Sequence, residues 1–251
     1  MQLKDKLKAN KLTIGAWSSI PSPLSAEAMA SLGFDWLAID MEHGTTGVDA
    51  ASHIFAAIEK YKIAPLVRIP CHKPVLTRRL MDAGAHGVIV PVVEDADIFK
   101  DFVSHMYYPP EGRRGVGLSR CNLWGDNFKE YLENFKPVVI AQIETRKGAE
   151  NAEKIAAIPG VDGLFLGPYD LSADLGTPGN FETPEFLAAR DKIKQACANQ
   201  NKIVGIHQVE PDPDKLEQRI AEGFRFIAYA TDIIALRHAL AQGLKTCRQK
   251  E

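Results

Sequence analysis

The sequence predicts an α/β fold, a single (β/α)8 TIM barrel over residues 1–251, and three observations carry that prediction. Eight short apolar runs rich in β-branched residues alternate strictly with eight stretches of helical periodicity. The runs lack a polar face, as strands do when helices cover both sides of a parallel sheet. Eight such units in 251 residues match the size of this barrel. A doubly wound open sheet competes, but it normally carries a glycine-rich phosphate loop after its first strand. Trp17-Ser-Ser-Ile-Pro-Ser-Pro has no glycine there.

In chain order the strands are residues 12–17, 36–41, 64–69, 87–93, 138–143, 163–166, 203–206 and 226–229. The helices are 25–32, 48–61, 75–83, 96–106, 149–158, 184–199, 214–221 and 233–245, each setting apolar residues at helical spacing among Lys, Glu and Arg. Gly33, Gly84, Gly160 and Gly223 stand where a helical pattern stops before a strand, the usual place of a left-handed cap. Residues 4–10 read as a short capping helix that plugs the amino-terminal mouth of the barrel. Residues 107–126, rich in Pro and Gly, exceed the usual connection of about 4–6 residues. A loop that crosses to a neighbouring subunit explains them.

With 30 Lys+Arg against 32 Asp+Glu, the net charge of -2 recruits neither a nucleic acid nor an anionic membrane. No apolar run of about 18 residues exists to cross a bilayer, and the lysines at 4, 6, 8 and 11 have no signal-peptide core behind them. Cys71, Cys121, Cys197 and Cys247 form no CxxC pair, so neither a zinc knuckle nor a disulfide framework is expected. The expectation is a cytoplasmic protein with a small-molecule partner.

Chemistry in this fold lives at the carboxyl ends of the strands. There the sequence places Asp40, Glu42 and His43 after strand two, Arg68 after strand three, Glu94 after strand four, and Gln142 and Glu144 on strand five. Asp170, His207 with Gln208, and Asp232 follow strands six, seven and eight. Glu94, Asp95 and Asp232 fit equally well as helix caps. Surface or core roles suit His53, His72, His86, His105 and His238. Gln142 and Glu144 alternate, so both face the barrel interior, where a lone carboxylate is costly unless a metal or an arginine relieves it. With Asp170 on the next strand, Glu144 offers two oxygen ligands and leaves positions open, as Mg2+ or Mn2+ sites that also bind a chelating substrate do. Arg68 offers a planar fork for a carboxylate or enolate oxygen. His43 beside Asp40 reads as a base whose ring is oriented by a carboxylate. Such a set suits a reaction in which an anionic oxygen develops next to a metal, most simply the enolisation of a 2-oxo acid. A Schiff-base aldolase needs a desolvated strand-end lysine, whereas Lys62 and Lys202 lie at amino-terminal ends.

Six ordered motifs resemble the HpcH/HpaI aldolases, metal-dependent class II pyruvate aldolases, over roughly residues 7–240. They are Asp40-Met-Glu-His43-Gly, Pro65-Leu-Val-Arg68-Ile-Pro, Asp82-Ala-Gly-Ala-His-Gly-Val-Ile-Val-Pro91, Tyr108-Pro-Pro-Glu-Gly-Arg-Arg-Gly-Val-Gly, Gln142-Ile-Glu144-Thr and Gly167-Pro-Tyr-Asp170-Leu-Ser. The resemblance implies that Glu144 and Asp170 bind Mg2+, Mn2+ or Co2+. It also implies that Arg68 and Gln142 hold the pyruvyl end beside Pro168 and Tyr169, and that His43 with Asp40 is the acid/base pair. Asp82 matches a position near a subunit contact, and Val116 to Leu118 match a segment lining the neighbouring subunit's aldehyde pocket. A homo-hexamer, a trimer of dimers exchanging their last helix, is implied as well.

Departures from the pattern are Ala230, where many relatives have glycine, and Tyr169, where a small residue is usual and a tighter pyruvate pocket is expected. Leu118-Ser-Arg120-Cys-Asn-Leu-Trp124 matches only in part. The expected reaction is reversible cleavage of a 4-hydroxy-2-oxo acid to pyruvate or hydroxypyruvate and an aldehyde. Oxaloacetate decarboxylation on the same scaffold is the alternative, and a non-catalytic binding module is the outside class. A coenzyme A ester lyase would need a further C-terminal domain.

Overall fold

The structure, a computed structural model, describes residues 2–248. Strands β1 (Thr13–Ser18), β2 (Trp36–Asp40), β3 (Ala64–Arg68), β4 (Gly87–Val90), β5 (Val138–Ile143), β6 (Gly163–Leu166), β7 (Ile203–Gln208) and β8 (Phe226–Thr231) form a closed barrel in sequence order. Every pairing is parallel, and β8 closes on β1. All eight expected strands are present. β4 ends earlier than expected because the chain turns at Val92, whose φ is 49°.

The helices are α1 (Leu3–Lys8), α2 (Pro23–Ala30), α3 (Val48–Ile58), α4 (Pro74–Ala83), α5 (Ala96–Ser104), α6 (Phe128–Asn134), α7 (Arg146–Glu150), α8 (Ala152–Ala156), α9 (Pro168–Asp174), α10 (Pro184–Asn199), α11 (Pro213–Ala221) and α12 (Asp232–Arg248). The expected helix at 149–158 is split into α7 and α8 at Asn151, whose ψ of 4° leaves the helical range. The four predicted capping glycines all take positive φ, from 87° at Gly33 to 122° at Gly84. Sequence reading did not resolve α6, α9 or the 3-10 turn Arg120–Gly125, each too short to show a period.

Two apolar layers hold the barrel. Inward side chains, among them Trp17, Trp36, Leu66, Ile140, Phe165 and Phe226, fill its interior, and outward ones such as Leu37, Ile39, Val67 and Val88 pack on the helices. Trp36 stacks on Phe226 at 4.1 Å. The plug predicted at the amino-terminal mouth is α1. Its Leu3 and Leu7 join the interior cluster, each worth about 1.5–3 kcal/mol by burial. Lys4 Nζ pins it to Asp162 Oδ2 at 2.8 Å and to the Pro137 carbonyl at 2.6 Å.

The 107–126 excursion is anchored on its own chain. Arg114, whose side chain is fully buried, donates to Asp82 Oδ1 at 2.6 Å and lies 4.6 Å from the Tyr108 ring. Arg120 pairs with Glu59 at 2.5 Å. Val116, Leu118, Leu123 and Trp124 face outward, as do Leu236, Leu240 and Leu244 of α12. No helix of the described residues is long and apolar enough to cross a membrane.

Candidate active site

Asp40 and Arg68 end β2 and β3 as register partners, so parallel pairing alone sets them side by side. Arg68 Nε donates to Asp40 Oδ1 at 3.0 Å and Nη2 to Oδ2 at 2.6 Å, a bidentate pair with both side chains nearly buried. Asp40 also accepts the indole Nε1–H of Trp17 at 3.3 Å and the backbone N–H groups of Glu42 at 3.1 Å and His43 at 3.3 Å. Burial pushes the Asp40 carboxyl up, but the Arg68 hydrogen bonds and charge outweigh it and hold the group below its ordinary value.

The expectation that the His43 ring bonds Asp40 is corrected here. Arg68 occupies both carboxylate oxygens, and His43 reaches Asp40 through its backbone N–H, leaving the imidazole exposed at the rim.

Glu144 follows β5 and is buried. Its Oε1 accepts the Val92 N–H at 2.6 Å, and its Oε2 accepts from Gln142 Nε2. A β-branched residue at φ 49° costs on the order of 1–3 kcal/mol, and that conformation aims the Val92 amide at Glu144. Burial raises the Glu144 carboxyl, its two hydrogen bonds oppose the rise, and the charges of Glu42 and Asp170 add to it. Asp170, in the first turn of α9, is exposed and makes no hydrogen bond among the described residues.

Glu42, His43, Val92, Glu144, Thr145, Asp170 and Asp174 line a cleft of about 310 Å³ at this end of the barrel. The sequence placed Glu42 at this rim without assigning it a role. Its Oε2 is buried without a hydrogen bond, 3.2 Å from Arg68 Nη1. Burial raises its carboxyl too, with Arg68 and His43 opposing. Gln142 Oε1 is a second buried atom without a partner. Among the described residues no three His, Cys, Asp or Glu side chains form a closed cation cage. The donor chemistry fits an open divalent site: Glu144 and Asp170 crowd negative charge into the cleft and leave most coordination positions free.

Other expected residues lie elsewhere. Asp82 is at the opposite end of the barrel, paired with Arg114. Val116 and Leu118 sit exposed on the excursion, outside the cleft of their own chain. Pro168 opens α9 and lines a cavity other than this cleft. The tighter pocket expected from Tyr169 is not found, because its ring turns outward onto Phe181 at 5.2 Å and borders a separate cavity against α10 and α11. Asp95 caps α5, and Asp232 accepts the Ser19 and Ile20 N–H groups, so both take the structural role. Glu94 pairs with Lys147 at 3.4 Å.

Comparison with known proteins agrees with this fold. The family model described as HpcH/HpaI aldolase/citrate lyase matches residues 13–239. A 5-keto-4-deoxy-D-glucarate aldolase of Shigella dysenteriae serotype 1 (strain Sd197) is 35% identical over 240 residues, 95% of this chain and 93% of the relative. The solved structure of an HpcH/HpaI aldolase/citrate lyase family protein from Burkholderia cenocepacia J2315 superposes with a TM-score of 0.92 at 34% identity, covering 98% of each chain. An HpcH/HpaI aldolase from Desulfitobacterium hafniense DCB-2 gives 0.90 at 30% identity over 99% of this chain and 97% of that one. Barrel, cleft and kinship together make this chain a carbon–carbon lyase that belongs to the HpcH/HpaI aldolase/citrate lyase family.

Proposed function

We propose that the protein is a divalent-metal-dependent class II aldolase that reversibly cleaves a 4-hydroxy-2-oxo acid to pyruvate, or hydroxypyruvate, and an aldehyde. The observation that carries this reading is the acidic cleft holding Glu144 and Asp170 next to a guanidinium locked in plane by Asp40. Glu144 and Asp170 would hold Mg2+, Mn2+ or Co2+, which supplies Lewis-acid polarisation of the keto oxygen. Arg68, fixed by two hydrogen bonds, presents its remaining N–H groups to the pyruvyl oxygens and stabilises charge that develops there. Gln142 holds the Glu144 carboxylate through its amide nitrogen, and its unpartnered amide oxygen, an acceptor, suits a hydroxyl of the substrate and not the pyruvyl oxygens themselves. His43, exposed at the rim, takes the proton from the C4 hydroxyl during cleavage and returns it during addition. Kinship with 5-keto-4-deoxy-D-glucarate aldolases makes keto-deoxy sugar acids the first substrates to test.

The outward leucines of α12 and the exposed excursion support a homo-oligomer, a hexamer whose subunits exchange α12 and lend Val116 and Leu118 to a neighbour's aldehyde pocket. Oxaloacetate decarboxylation is the second reading. The residues proposed for the metal and the pyruvyl end all come from one chain, which favours this reading because that reaction needs no aldehyde pocket.

The test pairs pyruvate or hydroxypyruvate with a panel of aldehydes under Mg2+, Mn2+ or Co2+. Aldol product that vanishes with EDTA and returns with metal supports the reading. Borohydride trapping of a pyruvate adduct, or turnover untouched in both Glu144→Ala and Asp170→Ala, overturns it.

A further inference from the structure

The upper inward layer of the barrel contains an aromatic pair that the proposed reaction leaves unused. Trp17 of β1 is buried, and the imidazole of His207 on β7 packs against it with ring centroids 4.6 Å apart and planes 30° apart. Phe165 stacks on the same indole at 6.1 Å. The Arg68 guanidinium carbon lies 4.9 Å from the Trp17 ring centroid, while the single indole N–H points at Asp40 Oδ2. His207 is held in turn by contacts of 3.4 Å from its Nε2 to the Ala230 carbonyl and to Thr231 Oγ1.

Arg68 has two carboxylates within reach, Asp40 at 2.6 Å and Glu42 at 3.2 Å. Charge alone does not choose between them, and the outcome decides where the fork points. As it stands, the fork keeps Nε and Nη2 on Asp40 and only Nη1 near Glu42, 3.2 Å away and without a hydrogen bond; turned fully onto Glu42 it would give up the bidentate pair and bind one of the cleft's own carboxylates. We propose that Trp17, backed by His207, is a positioning residue that commits Arg68 to Asp40. The indole N–H fixes the Asp40 carboxylate, and the indole face receives the guanidinium by a cation–π contact. His207 suits the backing role because burial keeps the imidazole uncharged, so no second cation competes for the indole. The assignment rests on the aldolase reading above for its kinetic consequence and on geometry alone for its structural one.

Two measurements separate these. The first is exchange of the pyruvate methyl protons in D2O with Mn2+, followed by NMR over a range of pyruvate concentrations. Trp17→Phe keeps a ring but removes the N–H, and is expected to raise the KM for pyruvate about tenfold while kcat changes less than about threefold. His207→Leu is expected to act in the same sense, and His207→Phe, which restores a ring, to recover most of the loss. KM values within twofold of wild type in both Trp17→Phe and His207→Leu would overturn the proposal. The second is the crystal structure of Trp17→Phe, or of His207→Leu should the first variant fail to fold. Arg68 turned toward Glu42 supports the proposal, and Arg68 still bidentate on Asp40 defeats it. A wild-type protein that exchanges no protons with any metal removes the aldolase reading, and the crystal structure then decides the positioning role alone.

Discussion

Gly167 and Glu144 are in such close contact that a β-carbon on Gly167 would lie 2.7 Å from both Cβ and Oε2 of Glu144. The φ of Gly167 is -97°, which any residue adopts, so its requirement is space and not conformation. Gly167→Ala is therefore expected to push Glu144 off its hydrogen bonds with Val92 and Gln142. Overpacking of this kind costs about 1–3 kcal/mol. Metal titration by calorimetry should show at least a tenfold weaker Mn2+ affinity, about 1.4 kcal/mol. Unchanged affinity in a folded variant would refute the contact's role.

Asp40→Ala leaves the Arg68 guanidinium without its bidentate partner in a nearly buried place. Removing one member of a buried pair typically destabilises by about 3–5 kcal/mol. Glu42, 3.2 Å away, offers a substitute, so the expected loss is at the lower end, near 3 kcal/mol. Chemical denaturation measures it, and turnover should fall with it because the fork loses its plane.

Much of this was legible beforehand because it follows from periodicity. Strand alternation told that Gln142 and Glu144 share a face, and register then delivered Asp40 beside Arg68. Details set by backbone direction were not legible. Asp40 could be read as an orienter of the His43 ring because both sit in one short motif, yet only the three-dimensional register shows Arg68 filling the carboxylate first. Tyr169 misled for a similar reason: residue type predicts bulk, whereas the start of α9 decides which way the ring points.

His207 links stability to pH. Burial, aided by the charge of Arg68, pushes its pKa down to about 4 from 6.5, against the Ala230 carbonyl and Asp40, which raise it. Below pH 6.5 the unfolded chain binds a proton that the folded protein refuses, so stability falls as the pH drops from 6.5 toward 4, by about 3 kcal/mol in full. His86, lowered by burial, acts in the same direction. Urea melts between pH 7 and 4.5 should show a shallower acid slope for His207→Phe. An identical slope would place the acid sensitivity elsewhere.

Arg114 is the bolt of the excursion, buried against Tyr108, Tyr131 and Phe135 and paired with Asp82. Arg114→Met keeps apolar volume but drops the ion pair and leaves Asp82 unpaired, a loss on the order of 3 kcal/mol. Limited proteolysis is expected to cut within residues 113–127 sooner than in wild type. The cleft of the same chain lies at the other end of the barrel and should keep its metal affinity.

Ala230 and Val92 are both left-handed non-glycine residues near the carboxyl ends of strands, at φ 60° and 49°. Left-handed backbone costs an L-residue about 1–2 kcal/mol, and replacement by glycine returns roughly 0.4–1 kcal/mol of that to the unfolded chain's entropy. Ala230→Gly should therefore gain roughly 0.5–1 kcal/mol, a rise in Tm of about 1–4 °C for a chain of this size. Its carbonyl stays available to His207, so turnover is expected to persist. Val92→Gly relieves similar strain but loosens the N–H that holds Glu144 Oε1. The two variants should diverge: both as stable as wild type or more so in thermal melts, but only Val92→Gly weaker in metal binding. Equal metal affinity in the two would mean that the Val92 turn is strain without a task at Glu144.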